Sequence, residues 1–211
     1  NPCEDIKNFK KEKKIPGFLS EDEVLRILNS ASEVGKNKLE KTRNKALIEI
    51  LYASGMRVSE LVSLQKSLFI GTPEIILIKG KGNKERMVPI SKLAISAIKK
   101  YLAELKKTNI AFYESDFLFP SRSKNGYLNR ERFFLIIKKI AKFAGLNPRY
   151  VSPHKIRHAF ASHLLSNGAD LRVIQTLLGH KNLSTTEIYT HILDEKMIKS
   201  VQENHPFAKK D

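Results

Sequence analysis

Cysteine and tryptophan are nearly missing from this chain of 211 residues, which has one cysteine and no tryptophan. The single thiol, Cys3, cannot form a disulfide within the chain and cannot build a zinc site made of cysteines. Such cysteine usage fits a reducing compartment, and we expect a cytoplasmic protein. No apolar run approaches the length of a transmembrane helix, so the sequence predicts no membrane insertion.

Acidic residues are scarce relative to basic ones. The chain has 22 Asp and Glu against 38 Lys and Arg, which gives a formal net charge of +16 and a pI near 9.8. A folded domain with this excess favours a polyanionic partner, and nucleic acid is the leading candidate. An anionic membrane surface and simple solubility are the alternatives. Hydrophobic residues make up 41% of the chain, enough to build a core.

Hydrophobic periodicity and capping residues predict a mainly α fold with a small antiparallel β-sheet, an α+β class. A capping-box pattern at Ser20 and Glu23 starts the first helix near residue 21, and Gly55 is placed to end the second, over 41–53. Two apolar runs around a Gly-Lys-Gly-Asn turn predict a β-hairpin over 74–90. Further helices are predicted at 57–64, 92–107, 130–144, 153–166 and 171–178, after Ser184 and from 194, with a loop from 108 to 129.

The first fifteen residues, NPCEDIKNFKKEKKI, are polar, rich in lysine and poor in core-forming side chains. This composition is typical of a linker. We therefore expect residues 1–17 to connect the folded part to a domain outside this chain. The folded part is expected to occupy residues 18–207, and residues 208–211 to form a tail.

The stretch SPHKIRH at 152–158 carries the first candidate site. His154 and His158 are four apart and share one helix face, which is the spacing of the HExxH zinc motif. The residues between them include no carboxylate, and the charge of Arg157 would repel a dication, so we predict no metal here. A phosphate site and an ordinary capped helix with incidental cations remain as alternatives.

Arg157 lies beside a predicted buried stripe of the same helix, made of Ile156, Phe160 and Leu164. A partly buried arginine between two imidazoles needs an anion, and further cations could complete a phosphate site: Arg57 after a glycine at a helix boundary, Lys81 at the hairpin tip and His180 after Gly179. Each of the three also has a simpler explanation, namely pairing with Glu60, solvation in the turn and capping of a helix C-terminus.

Tyr189, within LSTTEIYTH, is a candidate nucleophile. A tyrosine on a short helix usually packs, and with a pKa near 10 only about one phenol in a thousand is ionised at pH 7. Nearby arginine and protonated histidine side chains favour the ionised form. A nucleophilic role for Tyr189 therefore makes sense only inside a cationic cluster, which this chain offers.

The chain resembles the tyrosine recombinases, the phage integrase family, in an ordered set of residues: Arg57, Lys81, His154, Arg157, His180 and Tyr189. The surrounding words YASGMRVSEL, IKGKGNKERMVPI, SPHKIRHAFASHLLSNGADLRVIQTLLGH and LSTTEIYTH are similar to the Xer subgroup, and the match covers nearly all of residues 16–207. The resemblance implies the family's catalytic-domain fold, with the N-terminal core-binding domain absent from this chain. It also implies site-specific recombination without metal, cofactor or ATP.

The resemblance assigns roles within this set. Tyr189 would attack a DNA phosphodiester to form a 3′-phosphotyrosine, Lys81 would protonate the leaving 5′-oxygen, and His154 would manage the proton of the nucleophile. The remaining members would hold the phosphate: Arg57, Arg157 and His180. Around them we expect Glu60 to orient Arg57, His158 to pack or support, and three hairpin cations to contact DNA phosphates: Lys79, Lys84 and Arg86.

The implied partners are double-stranded DNA, sister protomers in a tetrameric synapse, a paralogous recombinase and a septal DNA translocase. The similarity to the Xer subgroup implies Holliday-junction resolution during chromosome-dimer resolution and segregation, at the nucleoid, with residues 194–211 docking on a neighbouring protomer. Competing hypotheses are a mobile-element integrase or a type IB topoisomerase-like enzyme of the same family, and a non-catalytic DNA-binding module. A metal-dependent nuclease is disfavoured by the lack of a carboxylate cluster.

Overall fold

Helices packed around a shared core account for most of the folded chain. The structure, a computed structural model, describes residues 18–80, 85–179, 200, 201 and 203–206. Within these residues the helices are α1 (Glu21–Ser30), α2 (Lys38–Ser54), α3 (Val58–Val62), α4 (Lys92–Thr108), α5 (Ile110–Tyr113), α6 (Arg130–Phe143), α7 (Pro153–Ser166) and α8 (Leu171–Leu178). Short 3-10 helices cover Lys66–Phe69 and Pro148–Tyr150, and two strands, β1 (Ile75–Lys79) and β2 (Glu85–Pro89), form an antiparallel sheet. The predicted α+β class is confirmed, and none of the described helices is both long and apolar enough to cross a bilayer.

Side-chain caps set the starts of the first two helices. Ser20 Oγ accepts the Glu23 N–H at 3.1 Å, and the Glu23 carboxylate accepts the Ser20 N–H at 2.9 Å, which confirms the predicted capping box. α2 begins at Lys38 rather than at 41 because the Asn37 side chain accepts the Glu40 N–H at 2.9 Å. An asparagine cap outside the apolar pattern therefore extended this helix beyond its predicted start.

α2 forms the centre of the core. Residues 46–54 of this helix are all buried, and the helix packs against α4 and α7. Gly55 ends α2 with a φ of 56°, in the left-handed region, as predicted. The chain therefore leaves the core at a fixed point, directly before Met56 and Arg57.

The hairpin predicted over 74–90 is confirmed, and residues 81–84 of its turn lie outside the described part. In the ladder Ile78 lies opposite Arg86, and Ile76 lies opposite Val88. Both isoleucines and Val88 are buried. Because directly opposed residues and alternate residues share a face of a sheet, Arg86 lies on the inward face.

The loop predicted from 108 to 129 was wrong in part, because it contains α5. The Asn109 side chain caps this helix by accepting the Phe112 N–H at 3.0 Å. A helix this short has too few residues to produce a periodic apolar pattern. The helix predicted over 57–64 is likewise shorter than expected and covers Val58–Val62.

α7 presents the predicted stripe to the core. Ile156, Phe160 and Leu164 are each at most 1% exposed, so this prediction is confirmed. Ser152 caps the helix by accepting the Lys155 N–H at 3.2 Å, and Pro153 occupies its first turn, where a missing N–H costs nothing. Because this stripe faces the core, it also sets the direction in which every other side chain of α7 points.

The described C-terminal residues pack against the same chain. Val201 and His205 are buried, and the His205 ring centroid lies 4.8 Å from that of Tyr52 and 6.1 Å from that of Phe160. Residues 200, 201, 203 and 204 are helical, in agreement with the predicted last helix, while the predicted helix after Ser184 lies outside the described residues. Docking of residues 194–211 on a neighbouring protomer stays a prediction.

A second buried histidine secures the start of the folded region. Tyr52 Oη donates to His163 Nδ1 at 2.9 Å, and His163 Nε2 donates to the Leu19 carbonyl oxygen at 2.8 Å. Burial lowers the pKa of His163, and burial lowers the pKa of His205 to about 4, although a hydrogen bond to a backbone carbonyl opposes each shift. Both rings are therefore neutral at pH 7, and protonating either one works against the packed state.

We predict that acid weakens this packing before it affects the carboxylates. Because the pKa of His205 is about 4 when folded and about 6.5 when unfolded, its contribution to stability is complete above pH 6.5 and is lost as the pH falls toward 4. Urea unfolding at pH 5.5 should give a free energy about 1–2 kcal/mol below that at pH 7.5. His205→Phe keeps a ring at this position but cannot titrate. Its free energy of unfolding should therefore fall less between pH 7.5 and pH 5.5. An equal loss in both proteins would contradict the assignment.

Candidate phosphate site

Arg57 stands at the point where the chain leaves the core. It is the N-cap residue of α3, and its backbone N–H donates to Glu60 Oε2 at 2.7 Å. The guanidinium also donates from Nη1 to Glu60 Oε1 at 3.1 Å and from Nη2 to the Gly179 carbonyl oxygen at 3.2 Å. The predicted orientation of Arg57 by Glu60 thus has a geometric basis, and 38% of the Arg57 side chain remains exposed.

Arg157 is buried behind this position, at 8% exposure. Its Nη1 donates to the Gly55 carbonyl oxygen, and its Nη2 donates to the Leu178 carbonyl oxygen at 2.6 Å. Burial lowers the pKa of Arg157 to about 10, and the charges of Arg57 and Arg86 add to the shift. The side chain stays cationic at pH 7, and an anion in the adjoining space would relieve the repulsion among these groups.

The C-terminal end of α8 accepts a hydrogen bond from each of three arginines. The carbonyl oxygens of three consecutive residues are used: Leu177 by Arg86, Leu178 by Arg157 and Gly179 by Arg57. The last carbonyls of a helix have no partner within the helix and carry its partial negative charge. This helix end therefore holds several cations together without a carboxylate for each.

Glu60 supplies the carboxylate of the cluster, and Arg86 is its bidentate side-chain partner. Arg86 Nη1 and Nη2 donate to the two oxygens of Glu60 at 2.8 and 2.7 Å, a bidentate pair. Burial alone would raise the pKa of Glu60, but hydrogen bonds from Arg86 and Arg57 outweigh it and hold the pKa below its usual value. Glu60 is therefore ionised at neutral pH although its side chain is only 6% exposed.

His154 and His158 border a cleft that runs past the arginines. Their rings lie edge to face with centroids 4.7 Å apart, and the His158 ring also stacks on Phe18 at 6.2 Å. The cleft has a volume of about 650 Å³ and is lined by Arg57, Arg157 and both histidines, with apolar side chains of α7 and α8 beyond them. Within the described part of the chain, no group of three His, Cys, Asp or Glu side chains converges as metal ligands would.

The structure brings together six residues of the predicted set: Arg57, Glu60, Arg86, His154, Arg157 and His158. Lys81, Lys84, His180 and Tyr189 lie outside the described residues, although α8 ends at Leu178, two positions before His180. Lys79 ends β1 and is 67% exposed, with its Nζ 3.9 Å from Glu85 Oε1. The roles assigned to all of these residues stay predictions.

Sequence reasoning missed the internal contacts of Arg86. Its side chain is 10% exposed, and its Nε donates to the Leu177 carbonyl oxygen at 3.0 Å. One signal could have revealed this, because Arg86 and the apolar Val88 are two apart in a strand and must share a face. The three carbonyl acceptors of α8 could not have been found in this way, since every residue has a carbonyl.

The arrangement suits the binding of a phosphodiester. The guanidinium groups of Arg57 and Arg157 lie at one cleft. Each donates to at least one neutral backbone carbonyl oxygen. Guanidinium N–H groups match the non-bridging oxygens of a phosphate, and two such groups can stabilise charge that develops on phosphorus oxygens. The site can therefore bind an anionic ester and stabilise a more highly charged transition state.

Comparisons with known proteins are consistent with this chemistry. A model of the phage integrase family matches residues 17–196. The tyrosine recombinase XerD of Rhizobium meliloti (strain 1021) is 48% identical over 204 residues, which cover 95% of this chain and 65% of that protein. This chain thus spans about two thirds of the length of that relative.

Solved structures give the same relationship. The XerA recombinase matches with a TM-score of 0.66 and 32% identity, covering 90% of this chain and 66% of that one. The XerH site-specific recombinase bound to palindromic difH substrate, in a post-cleavage complex, matches with a TM-score of 0.68 and 31% identity, covering 90% of this chain and 53% of that one. Both likenesses confirm the predicted catalytic-domain fold.

We predict that Gly55→Ala destabilises the fold strongly. A Cβ at Gly55 would lie 2.3 Å from Phe160 Cδ1, in addition to the cost of a φ of 56° for alanine. The two effects together should lower the unfolding free energy by about 2–4 kcal/mol, measured by urea denaturation. Gly71→Ala is the matched control, because Gly71 has a φ of 75° and nothing within 4 Å of the added carbon. Equal losses at the two positions would contradict the proposed packing of Phe160 against Gly55.

Proposed function

The chain belongs to the phage integrase family, and on that premise we propose that the protein is a site-specific DNA recombinase. It cuts and rejoins DNA strands through a 3′-phosphotyrosine intermediate. The observation that carries this proposal is the pair of guanidinium groups of Arg57 and Arg157, both at one cleft and both supported by backbone carbonyls.

Strand cleavage begins with Tyr189. Its oxygen attacks a DNA phosphorus in line, a new ester bond forms, and the bond to the 5′-oxygen breaks. Lys81 gives a proton to that oxygen, and His154 assists the removal of the phenol proton. Rejoining is the reverse reaction with a 5′-hydroxyl of another strand, so the bond energy is retained and no ATP is consumed.

The arginines and His180 stabilise the negative charge that develops on the phosphate in the transition state. The phosphodiester carries one negative charge, and the pentacoordinate transition state carries more on its equatorial oxygens. Arg57 and Arg157 donate N–H groups to these oxygens, and His180 adds a third donor. These groups perform the work that a divalent cation performs in metal-dependent nucleases.

The relatives, rather than the site, support the wider role that we propose. The relative of R. meliloti is a tyrosine recombinase XerD, and the XerH structure contains a difH substrate. We infer that this protein acts on double-stranded DNA as part of a tetrameric synapse, with a paralogous recombinase as a partner. Holliday-junction resolution in chromosome-dimer resolution, with a septal DNA translocase, would place it in the cytoplasm at the nucleoid.

Residues 1–17 then form the linker to the core-binding domain, residues 18–207 the catalytic domain, and residues 208–211 a tail.

The nucleophile is tested by trapping the covalent intermediate. The full-length protein should form a covalent protein–DNA adduct on a nicked suicide site, visible as a shifted band after denaturing electrophoresis. Tyr189→Phe removes the attacking oxygen and should abolish the adduct while leaving DNA binding intact. An adduct of normal yield in the variant would contradict the assignment of Tyr189 as the nucleophile. Added EDTA should leave the adduct yield of the wild-type protein unchanged. Loss of the adduct in EDTA would indicate that cleavage depends on a metal ion.

The leaving-group acid has a separate test. Lys81→Ala should slow cleavage of an ordinary 5′-oxygen substrate by roughly 10²–10⁴-fold, the usual range for a lost general acid. A 5′-thiolate leaves without a proton, so a 5′-phosphorothiolate substrate should restore the rate. Single-turnover cleavage of the two substrates by the two proteins measures this directly. Equal defects on both substrates would exclude Lys81 as the acid.

A further inference from the structure

Arg86 lies behind the phosphate-facing arginines, and we propose that it is a positioning residue that keeps the charge of Arg57 available to the DNA phosphate. This inference rests on the proposed function and adds a residue to it. It replaces the expectation that Arg86 contacts DNA from the hairpin surface. Arg86 and Arg57 share one buried carboxylate, that of Glu60.

The Arg86 guanidinium, rather than that of Arg57, is the main side-chain partner of the Glu60 carboxylate. Its two Nη atoms contact the two carboxylate oxygens at 2.8 and 2.7 Å, whereas the Arg57 side chain makes one longer contact of 3.1 Å. The exposed fractions agree with this division, at 10% for Arg86 and 38% for Arg57. The buried guanidinium therefore neutralises the buried carboxylate, and the half-exposed one faces the cleft.

Removing Arg86 would change the charge of the site. Three arginines and one carboxylate carry a net charge of +2, and two arginines with the same carboxylate carry +1. Glu60 would keep Arg57 as its remaining side-chain partner and, since a buried carboxylate needs a cation, would draw the guanidinium toward itself. Arg57 would then present less positive charge to a phosphate, and at the wrong distance.

Arg86 also ties the hairpin to the end of α8. Its Nε donates to the Leu177 carbonyl oxygen, and a Cβ added to Gly179 would come within 3.2 Å of Arg86 Cδ. The next two residues, Leu178 and Gly179, provide the carbonyls that hold Arg157 and Arg57. One guanidinium thus links β2, α3 and α8, the elements whose relative positions set the phosphate site.

The test compares Arg86→Met with two other variants of the full-length protein. Met has a similar length and no charge. Lys79→Met removes an exposed hairpin cation and serves as the reference for a lost phosphate contact. Arg26→Met, at a surface ion pair with Asp22 on α1, serves as the control with normal cleavage. Each is assayed for adduct formation at saturating DNA, for cleavage of 5′-oxygen and 5′-thiolate substrates, and for DNA affinity across a salt series.

Arg86→Met should lower the cleavage rate at saturating DNA by about 10- to 100-fold, the scale of a small misplacement in an active site. The defect should be equal for both leaving groups, because Arg86 acts on charge stabilisation and not on the leaving oxygen. The slope of log affinity against log salt should fall by at most roughly 0.9, because Arg57 is the one phosphate contact that is weakened. Lys79→Met should reduce this slope by a similar amount but should affect the cleavage rate at saturating DNA less than Arg86→Met does. Arg86→Lys keeps the charge beside Glu60 but loses the fork, so it should recover part of the rate.

Each contrary result has a definite meaning. A reduced salt slope in Arg86→Met together with a normal cleavage rate at saturating DNA would make Arg86 a phosphate contact, and rescue by the thiolate would make it a support for Lys81; either overturns the proposal. Normal cleavage with a lower melting temperature would show a purely structural role and would also overturn it. If Arg86→Met does not fold, Arg86→Lys decides the question, and a normal rate in that variant refutes the proposal. Failure of the wild-type protein to form any adduct would instead refute the proposed function.

Discussion

Three positively charged groups in a small, partly buried space are held by the end of one helix. Arg57, Arg86 and Arg157 would repel one another, and each would lose favourable hydration on burial. The carbonyls at the end of α8 offset part of this cost with hydrogen bonds and a partial negative charge. Glu60 supplies the single full negative charge. The remaining positive charge is then directed toward the cleft and toward whatever anion enters it.

The hydrophobic core sets where this cluster lies. Gly55, the residue that ends the most buried helix, gives its carbonyl oxygen to Arg157, and its Cα packs against Phe160 of the helix that carries Arg157. The same glycine therefore ends α2, allows α7 to approach closely and holds a guanidinium. A phosphate site built on such contacts is anchored directly in the core. Preorganisation of this kind is what electrostatic stabilisation of a transition state requires, because no reorientation is needed during the reaction.

Much of the fold could be predicted from capping residues and periodicity, as the starts of α1 and α7, the end of α2 and the hairpin demonstrate. The start of α2 and the existence of α5 could not, because each depends on one asparagine cap outside any apolar pattern. In the site, the candidate side chains were identifiable by type and order. Their partners were not, because backbone oxygens have no sequence signature and become acceptors only where the tertiary structure leaves them unpaired.

Holding cations by backbone oxygens has an evolutionary consequence for α8. A side-chain substitution at Leu177 or Leu178 alters packing but leaves the acceptor oxygen in place, so the site can tolerate drift in composition there. Loss of a single residue from the helix would turn the following carbonyls by about 100° and shift them by about 1.5 Å. Each guanidinium would then meet a different oxygen or none. Proteins that retain this site should therefore vary in the residue types of α8 far more readily than in the length of this helix.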